Sequence, residues 1–599
     1  MKLATRVSGA LLSFCALSAS QPAGAVDTTW TAAVNNDFYN NGNWDTGVAP
    51  TAADNALILN PTVTASINFA GTRDLGSFHL GTTGATGGNI DFSAGTLNVH
   101  ADFNRSHIGD QNSLNSKFVM RGTAVMLYDE PLDGAGGGLG SPGGNQDLEI
   151  GAQTGASGSL GLLELHDSAI LRISDDLKIG AEANGNGEVL IDGNARISTG
   201  SGISVSESNP SKGKLTVAGS ALVVSGNSAG AGNSAQGFTD EGYFTLSVNT
   251  AATADAVIKD SGKVYARTLQ QRDGVTNFTI QDNGEFHVFD TFNFAAPNLG
   301  VASVTGLPSN PNRASHAGQQ DNAQFNLLIT GNGKMSVDTA VDDGSGFGLV
   351  GLALSGGNNI GAATSSGGST KIDLRDNASF AIQQNLYMTA AQFSETANST
   401  LRVVGPNVDA EIKGNLFMSY DEGAQLQNPG QSTLAAVITG ATHSTIVVGG
   451  EAKIEFGNLA VELSGYVPQG GETYTLLTAG SIGGTSFLNP ADFTLAPLAS
   501  GLSWDLNVGA TSVVLKVLGS IALPGDFDSD QDVDGADFLK WQRNFGTPGY
   551  DAASLATWKA NFGATAAVSA AAAVPEPGTA LLGALAVGAM AACRRRVAC

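Results

Sequence analysis

Cysteine is nearly missing from this chain. Three occur in 599 residues, at Cys15, Cys593 and Cys599, so no disulfide can staple the long body between the two ends. Charge is sparse as well. Asp, Glu, Lys and Arg together make up 14% of the residues and aromatics 7%, which leaves short polar side chains and 79 glycines between brief β-branched runs. Basic residues are outnumbered, 29 against 54 acids, for a formal net charge of −25. Such a surface repels phosphate backbones and anionic headgroups, which excludes nucleic acid as an ordinary partner. The seven histidines (His79, His100, His107, His166, His287, His316 and His443) are scattered, with no H-E-x-x-H motif, G-x-S-x-G elbow or Cys–His set. His100 and His107 share one strand-turn unit, where exposed side chains are expected rather than metal ligands. Glu149, Glu164, Glu182 and Glu188 fall where alternation places ordinary outward charges. The chain is therefore expected not to be an enzyme, although a carboxylate pair assembled only by folding leaves no mark in the sequence.

What is present is repetition. One phrase (apolar, x, apolar, x, Asp or Gly, x, Ala or Gly, x, apolar) recurs as FVMRGTAVM at Phe118, LELHDSAIL at Leu163, VLIDGNARI at Val189, LTVAGSALV at Leu215, AVIKDSGKV at Ala256, FTIQDNGEF at Phe278, LLITGNGKM at Leu327 and IDLRDNASF at Ile372. Alternation marks strands with one buried face, and the central Asp or Gly marks the bend between them. That column falls at Gly122, Asp167, Gly193, Gly219, Asp260, Asp282, Gly331 and Asp376, in steps of 45, 26, 26, 41, 22, 49 and 45. Steps of 22 to 26 are read as single coils and the long ones as doubles. A second phrase interleaves with it: HIGDQ at His107, EIGAQ at Glu149 and KIGAE at Lys178. Together they predict a mostly β fold, a parallel β-solenoid whose coils lie on one another. A sandwich needs hairpin turns every 8 to 12 residues, and a propeller needs blades near 40; the uneven repeat leaves several sandwiches as the open alternative.

These phrases resemble the β-strand repeats associated with autotransporter passenger domains and large secreted planctomycete-type surface proteins. So does LAVELSGYVPQGGETYTLLTAGSIGGTSF (Leu459–Phe487), similar to the closing part of such arrays. The resemblance spans roughly residues 90 to 520 and implies architecture rather than activity.

The ends of the chain say more. MKLATRVSGALLSFCALSASQPAGA has a basic start, an apolar stretch from Val7 to Ala19 and a small-x-small end at Ala23–Ala25, the pattern of a secretory signal peptide cut after Ala25. Phe14 before Cys15 argues against a lipoprotein signal. Past the cleavage point, Trp30 and Trp44 bracket an Asn-rich loop. They would either stack on a sugar or close the end of a β array, and the need to cap an open array favours the second.

Near the C-terminus stands GDFDSDQDVDGADFLKW, Gly525–Trp541. Counted from Asp526, carboxylates fall at positions 1, 3, 5, 9 and 12 (Asp526, Asp528, Asp530, Asp534 and Asp537), and Asp532 at position 7 would offer its carbonyl. This is the oxygen spacing that a hard cation with six to eight ligands requires. The segment resembles a dockerin type I calcium loop, which implies Ca2+ held by these residues and a cohesin-like protein as partner. Gln531 departs from the glycine expected at position 6. A dockerin has two such segments; here Phe538–Gly546 recurs as Leu555–Gly563, but only Asp551 precedes the second copy. One cation-binding half is expected to pair with one metal-free helix through Trp541, Trp558, Phe545 and Phe562.

After an Ala-rich linker come Pro575, Glu576 and Pro577, an apolar segment from Gly578 to Cys593, and Arg594, Arg595 and Arg596. As a helix the apolar segment would be roughly 24 Å long, with the arginines on the cytoplasmic side. The tripartite tail resembles the PEP-CTERM sorting signal, which implies recognition by an exosortase-like membrane protease and transient or permanent attachment through that helix.

The expected organisation is a signal peptide (1–25), an N-terminal cap with the first strands (26–90), solenoid repeats (91–520), a small α-helical EF-hand-like dockerin module (521–566), a linker (567–573) and the sorting signal (574–599). The expected role is that of an exported structural or adhesive protein, anchored first in the inner membrane and then placed on the cell surface or in the extracellular matrix. The alternative is a polysaccharide-binding or polysaccharide-degrading component of a surface complex, with extracellular polysaccharide as its ligand.

Overall fold

The computed structural model describes residues 26–565, apart from the stretches 82–86, 101–104, 111–115, 129–146, 153–158, 201, 226–242, 272, 290–314, 318–322, 339–350, 356–367, 390–396, 419–430, 455–456, 484–492, 520–522 and 531. The segments read as signal peptide, linker and sorting tail, including Pro575, Glu576, Pro577 and Arg594–Arg596, lie outside the described residues. Among the described residues, no helix is long and apolar enough to cross a membrane.

Each copy of the repeated phrase folds as two short strands around a bend. Strand Ser159–Leu165 turns at Asp167 into strand Ile170–Ile173, and a third strand, Leu177–Ile179, follows before the next copy starts at Gly185. Every strand pairs in parallel with its equivalents one copy before and one after. Leu163 lies opposite Phe118 and Val189, Leu171 opposite Met126 and Ile197, and Ile179 opposite Ile150 and Val205. This is the connectivity of a parallel β-solenoid with three faces. First-face strands run from Thr64 to Leu495.

Because successive side chains alternate, every second residue of the first face enters the interior. Phe118, Leu163, Val189, Leu215, Ala256, Phe278, Leu327, Ile372 and Leu401 succeed one another there, none more than 2% exposed. Burial of each large member contributes about 1.5–3 kcal/mol. The Asp/Gly column sits at the bend between the first and second faces. All eight of its residues have φ between 57° and 66°, the left-handed region that glycine and aspartate tolerate best. Aspartate adds a bond that glycine cannot. The carboxylates of Asp167, Asp260 and Asp376 accept the corner amides of Gly122, Gly219 and Gly331 at 2.9, 3.0 and 3.1 Å. Beside them Asn377 donates to Asn332, and Asn332 to Asn283, each at 3.0 Å.

The long steps in that column are not doubled coils. Phe118 pairs directly with Leu163, Leu215 with Ala256, Phe278 with Leu327, and Leu327 with Ile372. Each of these coils carries extra chain between its second and third faces, where strands end at Tyr128, Ser225, Phe289 and Asp338 and the third face resumes at Leu148, Tyr243, Ser315 and Gly351. An insertion at a corner leaves the ladder register intact, and its closure entropy grows only slowly with length.

The second phrase is the third face. Ile108, Ile150 and Ile179 point inward, and the glycines after them turn the chain with φ of 80°, 70° and 70°. A Cβ on Gly180 would meet the Lys212 carbonyl oxygen at 2.4 Å, so the close stacking of coils here requires glycine.

At the N-terminal end, Trp30 and Trp44 are each 3% exposed, edge to face at 5.4 Å, with Phe38 against Trp44 at 4.9 Å. Trp44 donates its indole N–H to the Phe38 carbonyl at 2.7 Å, so neither indole offers a face to a sugar. At the other end, strand Thr473–Gly483 pairs in parallel with Ile446–Lys453 but antiparallel with Ser512–Gly519, which pairs antiparallel with Leu502–Val508. This change of direction pairs the outer edge of strand Thr473–Gly483.

Candidate metal centre

After the solenoid strands come two helices, α1 (Gly535–Asn544) and α2 (Ala552–Asn561). The start of α1 builds the acidic loop. Asp534 caps the helix by accepting the Ala536 amide at 2.7 Å, and Asp537 reaches back to accept the Asp534 amide at 2.8 Å, which makes a reciprocal capping box. The other oxygen of Asp537 accepts the amides of Phe527 and Asp528 at 2.5 and 3.0 Å. Fully buried, Asp537 therefore ties the beginning of the loop to its end. Asp526 closes the first turn by accepting the Ser529 amide at 2.6 Å, with Ser529 itself left-handed at φ 63°. Gln531, where a positive φ was expected, lies outside the described residues.

The six aspartates converge as two overlapping groups. Asp526, Asp528, Asp530 and Asp537 bring ligand oxygens within 4.8 Å of one another, and so do Asp532, Asp534 and Asp537. Asp537 is common to both. The sequence expectation gave Asp532 only a carbonyl, whereas here its side chain joins the second group.

The residues fit a hard cation. One oxygen each of Asp528 and Asp532 is buried with no hydrogen-bond partner, a costly state for a carboxylate unless something positive meets it. Burial, followed by the charges of Asp537 and Asp530, raises the Asp528 carboxyl above the usual range. Burial and the neighbouring Asp530, Asp534, Asp537 and Asp526 do the same to Asp532. Every donor is a hard oxygen, as calcium-type coordination requires and as zinc-type coordination does not favour.

The second copy keeps the helix and lacks the cage. Asp551 caps α2 by accepting the Ser554 amide at 2.8 Å, and these bonds hold its carboxyl below the usual range. The copies meet through a reciprocal pair of bonds. The Trp541 indole donates to the Asp551 carbonyl at 3.1 Å, and the Trp558 indole donates to the Asp534 carbonyl at 2.8 Å. A short antiparallel bridge joins Asp532 to Thr565, with Val533 bonded to Ala564 and Gly563 at 2.8 Å.

Phe538 lies between the indoles, 5.0 Å from Trp558 and 5.8 Å from Trp541. Phe545 and Phe562, which the sequence placed in the helix contact, are 61% and 60% exposed. Each is a C-cap residue with ψ near +130°, past the last helical turn, and its ring packs on the tryptophan of its own helix, Phe545 on Trp541 and Phe562 on Trp558, both at 5.0 Å. Phe538 is the contact residue that sequence reasoning missed, because among the aromatic positions only the Trp and the C-terminal Phe recur in both copies.

Of the scattered glutamates, Glu164 and Glu188 form first-face ion pairs with Lys117 and Lys214, and Glu182 is half-buried. Glu149 is different. It is 1% exposed on the third face and bonded to Arg105. Compared with known proteins, the chain matches no protein-family model and no curated sequence.

Proposed function

We propose that this is an exported structural or adhesive protein: a solenoid rod followed by a calcium-binding dockerin-like module and a sorting tail that fastens it to the envelope or matrix. The observation that carries this reading is the parallel ladder, which bonds each coil to the next on three faces and stacks one cluster of buried apolar side chains from Ala65 to Val461. Such a stack is rigid along its axis and presents repeating rows of polar side chains to its surroundings.

Calcium would be held by Asp526, Asp528, Asp530, Asp532, Asp534 and Asp537, where it would supply positive charge to the two buried, unbonded oxygens and lock the loop to α1. Because calcium is plentiful outside cells, this part of the chain would be firm only after export. A cohesin-like protein is the partner that the dockerin resemblance proposes. Pro575, Glu576 and Pro577 would be read by an exosortase-like protease, with the Gly578–Cys593 helix and Arg594–Arg596 holding the chain in the inner membrane until then.

The test is co-sedimentation of the full mature chain with the source organism's extracellular polysaccharide, with calcium and with chelator, together with an assay of released sugar. Pelleting with no sugar released supports the structural reading. Released sugar overturns it in favour of a polysaccharide-degrading component.

A further inference from the structure

The third face stacks His79, His107, Glu149 and Lys178 in register, one coil above another. Two residues past His107, the left-handed Gly109 turns the chain so that Asp110 returns toward the two imidazoles. The Asp110 Oδ2 lies 3.2 Å from His107 Nδ1 and 3.7 Å from His79 Nδ1. The rings stand edge to face with centroids 5.0 Å apart, and one ligand atom from each of the three residues lies within 4.8 Å of the others. Ligands of a tetrahedral ion bound at about 2.0–2.1 Å are about 3.3 Å apart, a spacing that the two shorter distances bracket.

Behind His107 is the arrangement that usually backs a metal-bound imidazole. Its Nε2 is 3.2 Å from the Oε2 of Glu149, a buried carboxylate that is itself held by Arg105. Both ring nitrogens of His107 are buried, yet neither completes a well-directed hydrogen bond. His166 shows what a merely ion-paired histidine looks like on this solenoid. It bonds Asp192 at 2.8 Å and Glu164 at 3.1 Å with good geometry, and among the described residues it belongs to no three-residue ligand group.

We propose that His79, His107 and Asp110 bind a divalent transition-metal ion of the zinc class, with Glu149 and Arg105 as positioning residues that orient His107. Two imidazoles and one carboxylate select such an ion over calcium, so the chain would carry two sites of opposite hardness. Three protein ligands leave a fourth position for water or an exchangeable ligand. This inference does not depend on the surface role proposed above.

The test uses the full mature chain, stripped with chelator and re-equilibrated with excess calcium to fill the acidic loop. Zinc is titrated calorimetrically, and cobalt(II) is added in parallel as a visible-absorption probe of coordination. The expected result is saturable zinc binding that calcium does not displace, with the intense d–d bands of a tetrahedral cobalt site. His79→Ala abolishes those bands, Glu149→Gln weakens zinc by roughly 10- to 100-fold while keeping them, and His166→Ala changes neither. His79→Ala leaves the contacts of His107 with Asp110 and Glu149 in place, so its β circular dichroism should match the parent and separate loss of metal from loss of fold. No zinc uptake by the parent, or uptake unchanged in a folded His79→Ala variant, overturns the proposal.

Discussion

Replacement of Asp537 by alanine should unfold the acidic-loop module whether or not calcium is present. The carboxylate is fully buried and accepts three backbone amides, those of Phe527, Asp528 and Asp534. A hydrogen bond to a charged group contributes about 1.5–3 kcal/mol, and a stranded buried donor costs about 1–3 kcal/mol. With partial non-additivity, losing all three costs on the order of 3–6 kcal/mol. A unit built on two ten-residue helices rarely holds more than about 3–5 kcal/mol in reserve, so it should not survive the change. Near-ultraviolet circular dichroism of Trp541 and Trp558, recorded on heating in calcium and in chelator, reads the outcome directly. The solenoid end also holds tryptophans, so a Trp541→Phe, Trp558→Phe chain supplies the baseline to subtract. Asp530→Asn is the contrasting variant: exposed, and accepting the Asp532 amide at a long 3.3 Å, it should keep the chelator-state signal and lose part of the calcium-induced rise in midpoint. If Asp537→Ala keeps the parental tryptophan signal in chelator, the claim that this carboxylate organises the loop is wrong.

Other expectations follow from the solenoid. Asp376→Gly should change stability by less than about 1 kcal/mol, because glycine accepts φ 58° while the bonds to Thr330 and Gly331 are lost; Asp376→Val should cost about 2–3 kcal/mol, as a β-branched residue is strained there, and urea midpoints would separate the two. Phe380→Ala, at a site with no exposure, should cost about 3–5 kcal/mol in the same assay. Deleting the 26 residues Asn186–Ser211 removes one whole coil in register, since Glu164 pairs with Leu190 and Leu190 with Thr216, and should leave a cooperative β spectrum; deleting 25 turns the inward residues beyond the joint outward and should give an insoluble chain. Burial alone would lower the His166 pKa, but its bonds to Asp192 and Glu164 raise it overall. Its contribution to stability is therefore present in full below about pH 6.5 and is lost as pH rises through the folded-state value, a slope that His166→Gln should flatten.

Local chemistry alone determined much of this protein. The period-two alternation sorts inward from outward residues, and Asp or Gly in the phrase at Gly122 to Asp376 can be read as a left-handed bend because few other residues tolerate that backbone. The acidic loop was legible for the same reason: its ligands lie within twelve residues, so spacing along the chain is nearly spacing in space, and the capping box of Asp534 and Asp537 is local as well. Only the tertiary structure decided what depends on which coil lies beside which. It showed that the steps of 41 to 49 residues are single coils with corner insertions, because ladder pairing, not chain length, sets the neighbour. It left Phe545 and Phe562 largely exposed, each against the tryptophan of its own helix, and put Phe538 between the indoles, because the C-cap residues lie past the last helical turn. His79 and His107 stand 28 residues apart in sequence, with no motif to link them, and Glu149 is 42 residues farther on. Parallel stacking at the strand spacing of about 4.8 Å makes them neighbours, and no spacing rule along the chain encodes that.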